Sequence, residues 1–198
     1  MEPSSTGEFD QNKVVGGAAK EMVRSLLESC RYTVLPFGYE NVLAGVRPQL
    51  SDRNRFGRGD LVERIRSMPD LLVLGKEEVH LAEVKFRAGS VRRGYQRIPL
   101  SNRELARYQR YWSEAVLIVV SPFRDGFHAQ HVSKLSSRGD LTDTTQFSYD
   151  AFEPIDAIFR QALGCDLTLF SSGIENLGSF WQTYPKYRRC PRPRRGER

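Results

Sequence analysis

The chain has 198 residues, 39% hydrophobic and 27% charged, which suits one folded domain with tails and excludes wholesale disorder. No apolar run approaches the roughly 20 residues that span a bilayer. The opening MEPSSTGEFDQNK has neither a basic n-region nor an apolar h-region, so the expectation is a soluble protein that is not exported. The net charge of +6 resides in the last segment, because residues 186–198 (KYRRCPRPRRGER) hold seven Lys or Arg and one acid.

The expected organisation is a flexible N-terminus over residues 1–15, one domain over 16–185 and a basic flexible tail over 186–198. From Gly16, the segment GGAAKEMVRSLLESCRY sets Met22, Leu26, Leu27 and Cys30 at helical spacing, and the two glycines permit a turn before it. Tyr32–Phe37 (YTVLPF) is rich in β-formers and closes on Pro36 to Gly38, a strand. VRPQLSDRNRFGRGD reads as a mobile loop. Asp70–Leu74 (DLLVL), a turn at Gly75-Lys76-Glu77 and Val79–Arg87 (VHLAEVKFR) then read as a β-hairpin. AGSVRRGYQRIPL follows as a basic loop. Ser101 and Glu104 have capping-box spacing at the head of a helix whose apolar stripe is Leu105, Tyr108 and Trp112. Its opposite side carries Arg103, Arg107 and Arg110. Val116–Val120 (VLIVV) is a continuous apolar run, the mark of a central strand covered on both faces. Phe127–Val132 is a further strand and Phe152–Leu163 a later helix, so the order is αβββαβ.

Charge is segregated along this body. Residues 85–111 carry eight basic side chains against Glu104 alone, whereas residues 112–185 carry four basic and nine acidic groups. A folded body so divided presents one positive surface, which attracts polyanions. Cys30, Cys165 and Cys190 lie far apart with no CxxC pair, so neither a disulfide framework nor a zinc knuckle is expected and a reducing cytoplasm fits. His80, His128 and His131 have no second ligand at a usual metal spacing and read as structural.

The chemistry-bearing residues are Pro69-Asp70 and, thirteen positions after Asp70, Glu83-Val84-Lys85. Strand alternation puts Glu83 and Lys85 on one face and Val84 on the other. A hairpin that sets Asp70 beside Glu83 makes two carboxylates converge, a donor set suited to a hard divalent cation such as Mg²⁺ with several waters retained. Lys85 is then placed to orient or deprotonate a water, or to stabilise phosphorane charge. The pattern points to phosphodiester hydrolysis.

These residues resemble the PD-(D/E)xK nuclease superfamily, in particular its restriction-endonuclease-like and Holliday-junction-resolvase-like branches. MPDLLVL supplies the Pro-Asp and HLAEVKFR the Glu-x-Lys, within a match over roughly residues 17 to 120. The resemblance implies a restriction-endonuclease-like αβββαβ core, a central mixed sheet flanked by helices, with catalytic groups on the second and third strands. It implies that Asp70 and Glu83 hold Mg²⁺ or Mn²⁺, that Lys85 handles the attacking water, and that Glu21 is the extra helix-one carboxylate. Either Gln96 or Gln109 corresponds to a polar residue near the substrate in many members. With Arg87, Arg92, Arg93, Arg103, Arg107 and Arg110 these form the expected nucleic-acid surface. The expected partner is nucleic acid, DNA before RNA, with a homodimer plausible and a cytoplasmic or nucleoid location.

Other readings stay open on the residues alone. Asp70 as a turn acid with Glu83 and Lys85 as an exposed cross-strand pair is one. A nucleic-acid-binding or assembly module that keeps the fold without turnover is another, and a protein-interaction domain using the acidic segment is a third. P-loop, dinucleotide-binding and nucleophile-elbow motifs are absent, which sets aside nucleotide-driven motors, dinucleotide enzymes and serine hydrolases of that type.

Overall fold

The computed structural model describes residues 11–42, 59–87, 90–92, 95–122, 126–137 and 140–183. In chain order the elements are α1 (Gln11–Ser29), β1 (Thr33–Pro36), α2 (Tyr39–Val42), α3 (Asp60–Arg66), β2 (Leu71–Leu74) and β3 (Val79–Phe86). There follow β4 (Ser90–Arg92), β5 (Tyr95–Ser101), α4 (Asn102–Tyr111), β6 (Val116–Val120) and β7 (Phe127–His131). The last are β8 (Thr144–Ser148), β9 (Glu153–Pro154), α5 (Ile155–Ile158) and α6 (Ser171–Thr183).

Six strands form the central sheet in the order β1-β2-β3-β6-β7-β9. β1, β2 and β3 pair antiparallel, β6 joins β3 in parallel, and β7 and β9 extend the sheet antiparallel. The parallel step needs a crossover, and α4 provides it. The sheet is therefore mixed and flanked by helices, and the expected αβββαβ order stands at its centre.

Alternation along the strands builds two apolar layers, one on each face. Ala82, Val84, Phe86, Val116, Ile118 and Val120 pack with α1, α5 and α6, while Leu117 and Val119 pack with β5, α4 and β8. β6 is buried over its whole length, as its apolar run implies. Each large side chain so removed from water stabilises the fold by about 1.5–3 kcal/mol.

α1 buries Val15, Ala19, Val23, Leu26 and Leu27 along one stripe. It starts five residues earlier than the sequence suggests, because Val15 and Ala19 bury on either side of the glycine pair and hold Gly16 and Gly17 inside the helix. It ends with Arg31 in the left-handed region (φ 69°). There the Arg31 N–H donates to the Glu28 carbonyl and the Tyr32 N–H to the Leu27 carbonyl, both at 3.0 Å. That is a Schellman closure, in which a non-glycine residue costs about 1–2 kcal/mol.

Four sequence expectations change. The basic stretch after Arg87 is not a loop but the β4–β5 hairpin, whose β5 also pairs with β8 in a separate three-stranded sheet. Ile98 and Leu100 alternate into the second core layer and explain why. Phe152–Leu163 is not one helix: Pro154 interrupts it, leaving β9, the short α5 and a 3-10 turn. Ser101 is the N-cap of α4, but its side chain makes no capping bond, and Glu104 turns towards Lys85 and Arg87. Cys30 and Cys165, 135 residues apart in sequence, are disulfide-bonded with Cα atoms 6.2 Å apart. The expected basic tail and Arg93 lie outside the described residues.

Candidate active site

β2 and β3 pair from Leu71↔Ala82 to Leu74↔Val79. One step beyond Leu71↔Ala82, the same register sets Asp70 beside Glu83. The carbonyl of Asp70 accepts the N–H groups of Phe37 (2.8 Å) and Gly38 (3.2 Å), which ties the start of β2 to the end of β1. Asp70 Oδ2 accepts the Val84 N–H at 3.0 Å, so its carboxylate is fixed on the main chain of the strand that carries Glu83 and Lys85. The other oxygen, Oδ1, lies 2.5 Å from Lys20 Nζ on α1.

Glu83 is 4% exposed under α4. Its Oε1 accepts the Tyr108 hydroxyl at 2.6 Å and the Lys85 ammonium at 2.7 Å. Lys85 Nζ also lies 3.7 Å from Glu104 Oε1 and 5.7 Å from the centre of the Tyr108 ring. A buried carboxylate is tolerable only when paired and hydrogen-bonded, and both conditions hold here. Burial pushes Glu83 above the usual carboxylate range; Lys85 opposes that, Asp70 adds to it, and the net direction is up. Burial works against the Lys85 charge too, but Glu83, Tyr108 and Glu104 outweigh it and hold the ammonium above its ordinary value. Burial, then the Glu83 charge, raise the Tyr108 phenol, which stays a neutral donor.

Asp70 and Glu83, on adjacent strands, are the residues that could hold a small divalent cation, and each is paired with an ammonium group. Mg²⁺ is commonly bound through one or two carboxylates and water. Lys20 already marks one of these carboxylates as a cation position. Among the described residues no group of three or more His, Cys, Asp or Glu side chains forms a fuller metal cage.

The structure thus brings together Asp70, Glu83 and Lys85, and it adds Lys20, Tyr108 and Glu104, which the sequence reading did not assign to the site. Glu21 is exposed, and its charge bears on Arg24. Helical phase separates the two neighbours: at 100° per residue, Glu21 points roughly 160° from the centre of the buried stripe and Lys20 only about 100°. Tyr108 belongs to the apolar stripe of α4, yet its hydroxyl reaches Glu83; a buried tyrosine needs a partner for that group.

The expected nucleic-acid surface is divided. Arg87 is anchored by the carbonyls of Pro99 (2.9 Å) and Phe86 (2.8 Å) and lies 3.9 Å from Glu104. Arg107 and Arg110 face α3, where Glu63 (3.9 Å) and Asp60 (2.6 Å) balance them. The Gln109 amide donates to the Leu135 carbonyl, which fastens α4 to the segment after β7. Arg103 is exposed. Arg92 lies in β4 and Gln96 in β5.

A Pro-Asp enters one strand and a Glu-x-Lys lies on its antiparallel neighbour, within an αβββαβ core, as the sequence resemblance implies. Among solved structures the chain is similar to Hjc, a Holliday junction resolvase from the archaeal hyperthermophile Archaeoglobus fulgidus. The TM-score is 0.45 at 13% identity, over 72% of this chain and 93% of that one. No family model and no curated protein matches the chain. A likeness of that degree says nothing of this chain's substrate.

Proposed function

We propose that the protein is a Mg²⁺- or Mn²⁺-dependent nuclease that hydrolyses phosphodiester bonds, acting as a DNA endonuclease. The observation that supports this reading most is the convergence of Asp70 and Glu83 across the hairpin with Lys85 at 2.7 Å from Glu83. Asp70 and Glu83 would hold the ion, which supplies Lewis-acid activation at the phosphodiester. Lys85 orients the attacking water and offers positive charge to the oxygens of the phosphate in the transition state. Tyr108 holds the Glu83 carboxylate in position by its hydroxyl, and Glu104 holds Lys85 from the other side. Glu21 has no part in this reading, since it faces solvent. Exposed Arg103 and the basic β4–β5 hairpin next to the site supply phosphate contacts that position the duplex. A role on DNA places the protein in the cytoplasm or at the nucleoid; no described helix is long and apolar enough to cross a membrane.

One observation favours a second reading, a nucleic-acid-binding module without turnover. Each carboxylate already carries an ammonium, Lys20 on Asp70 and Lys85 on Glu83, so the cluster is balanced without a metal. The deciding experiment incubates the protein with linear, circular, four-way-branched and single-stranded DNA and with RNA, in Mn²⁺ or EDTA. The nuclease reading expects metal-dependent products that vanish in Asp70→Asn and Lys85→Ala. Tight binding without products in every lane supports the second reading. Cleavage undiminished in both variants overturns the assignment of the site.

A further inference from the structure

Two ammonium groups serve this site, and their surroundings differ. Lys85 is 20% exposed and is enclosed by Glu83, Glu104 and the Tyr108 ring. Lys20 is 36% exposed, comes from the flank of α1, and meets Asp70 Oδ1 at 2.5 Å. Asp70 Oδ2 is already committed to the Val84 N–H, which belongs to the sheet and cannot leave. The oxygen that faces Lys20 is therefore the one open to exchange: an incoming cation finds there a side chain, not main chain. One turn before Lys20, Gly16 and Gly17 sit inside α1, where glycine is less favourable than alanine. A Cβ at either would meet nothing within 4 Å, so no packing contact demands these glycines. They leave the helix surface beside Lys20 open.

We propose that Lys20 is the site's resident counter-cation: it occupies Asp70 in the metal-free protein, yields that oxygen to the divalent ion, and then contacts a phosphate of the bound duplex beside the glycine pair. This rests on the nuclease reading of the site. The ammonium and the metal compete for one carboxylate oxygen, so metal loading and substrate grip are linked. Without the metal, Lys20 spends its charge on Asp70; with the metal, the same charge is released towards the polyanion. A protein built this way holds DNA more tightly after its carboxylates are loaded than before.

The test measures Mn²⁺ binding by titration calorimetry, without substrate, for the wild type, Lys20→Met, Lys20→Arg and Asp70→Asn. An ion pair whose ammonium is partly open to solvent is worth about 1 kcal/mol, so Lys20→Met should bind Mn²⁺ about three- to five-fold more tightly. Lys20→Arg, which keeps the charge, should stay near the wild type, and Asp70→Asn should lose most of the affinity. A second measurement reads duplex binding against salt in non-cleaving Ca²⁺ and in EDTA. Lys20→Met should lower the salt slope by about 0.9, one phosphate contact, in Ca²⁺ and leave it unchanged in EDTA. Lys20→Met with unaltered or weaker Mn²⁺ binding and a wild-type melting curve overturns the proposal and leaves the nuclease reading standing. Mn²⁺ binding that is absent from the wild type, or indifferent to Asp70→Asn, overturns both.

Discussion

At its open end the β2–β3 hairpin holds Asp70, Glu83 and Lys85; at its turn it holds Glu78 and His80. At the turn, Glu78 accepts the Tyr32 hydroxyl and the Arg160 N–H at 3.0 Å, and His80 lies 3.3 Å away. The Gln161 N–H donates to the Tyr32 hydroxyl at 2.9 Å, and the Lys76 N–H donates to the Gln161 side chain at 2.6 Å. The packing is close enough that a Cβ on Gly75 would come within 2.7 Å of the Tyr32 ring, which reserves the position for glycine. A cleft of about 560 Å³ opens here, lined by His80, His131, Lys134 and Glu153 among others. Both ends tie down carboxylates of the same hairpin, Glu78 partly buried at the turn and Glu83 buried at the open end. At the turn Glu78 takes one main-chain N–H, that of Arg160, beside the Tyr32 hydroxyl, while at the open end one main-chain N–H, that of Val84, holds Asp70 and three side chains, Lys20, Lys85 and Tyr108, hold the two acids. The turn contacts join the hairpin to Tyr32 and Arg160, parts of the chain far from it in sequence. The open end pairs its acids with two ammonium groups on flexible stems, and a flexible ammonium can give way to another cation.

The sharpest way to break this comparison is activity. Asp70→Asn and Lys85→Ala should lower cleavage about 10²–10⁴-fold, while Glu78→Gln should leave the rate unchanged in the same assay. An equal loss from Glu78→Gln would remove the distinction between the two ends. Stability sharpens it next. Lys85→Ala leaves Glu83 buried without its ammonium and should cost about 3–5 kcal/mol in urea unfolding. The double replacement Glu83→Leu with Lys85→Met should restore most of that while remaining inactive, because an apolar pair of similar volume needs no desolvation of charge.

At the turn end the effects are smaller and confined to stability. Reducing the Cys30–Cys165 bond should lower unfolding free energy by about 2–4 kcal/mol, chiefly by lengthening the free chain of the unfolded state. Melting curves with and without dithiothreitol check it against Cys165→Ser. Tyr32→Phe removes a donor to Glu78 and should cost about 1–3 kcal/mol at neutral pH. Burial pushes Glu78 up, but the Tyr32, His80 and Gln161 contacts outweigh it and hold the carboxyl below its ordinary value. A carboxyl lowered by folding contributes stability above its unfolded value and loses it as pH falls through the folded one. The acid side of the stability profile should therefore flatten in Tyr32→Phe. Smallest is Arg31→Gly, which should raise stability by about 1 kcal/mol by relieving the left-handed residue at the end of α1.

What the sequence disclosed follows the strength of local patterning. The β2–β3 register was legible because a short glycine-led turn joins the apolar run of β2 to β3, and it set Asp70 against Glu83. The buried β6 was legible from five consecutive apolar residues. Lys20 was hidden behind its neighbour: an acid draws notice in a search for metal ligands, and only helical phase shows that Glu21 points outward. Tyr108 was hidden by its ring, which fits an apolar stripe while its hydroxyl does chemistry. The β4–β5 hairpin was hidden by arginines, since alternation through Ile98 and Leu100 is short and flanked by charge. The cysteine pair had no local signal, because 135 residues separate its members.

The bond from the Val84 N–H to Asp70 has a consequence for how such a protein can diversify. The separation of the two acidic groups is set by the main-chain spacing of neighbouring strands, about 4.8 Å, and by no loop. The β4–β5 hairpin enters the chain after Arg87, downstream of β1, β2 and β3, and returns it at the head of α4. Lengthening, exchanging or recharging that hairpin alters what approaches the site while the distance between the acids is preserved. On the nuclease reading, the covalent order of the chain puts what approaches the site on a segment downstream of both acids, and that segment can vary while the acids keep their spacing.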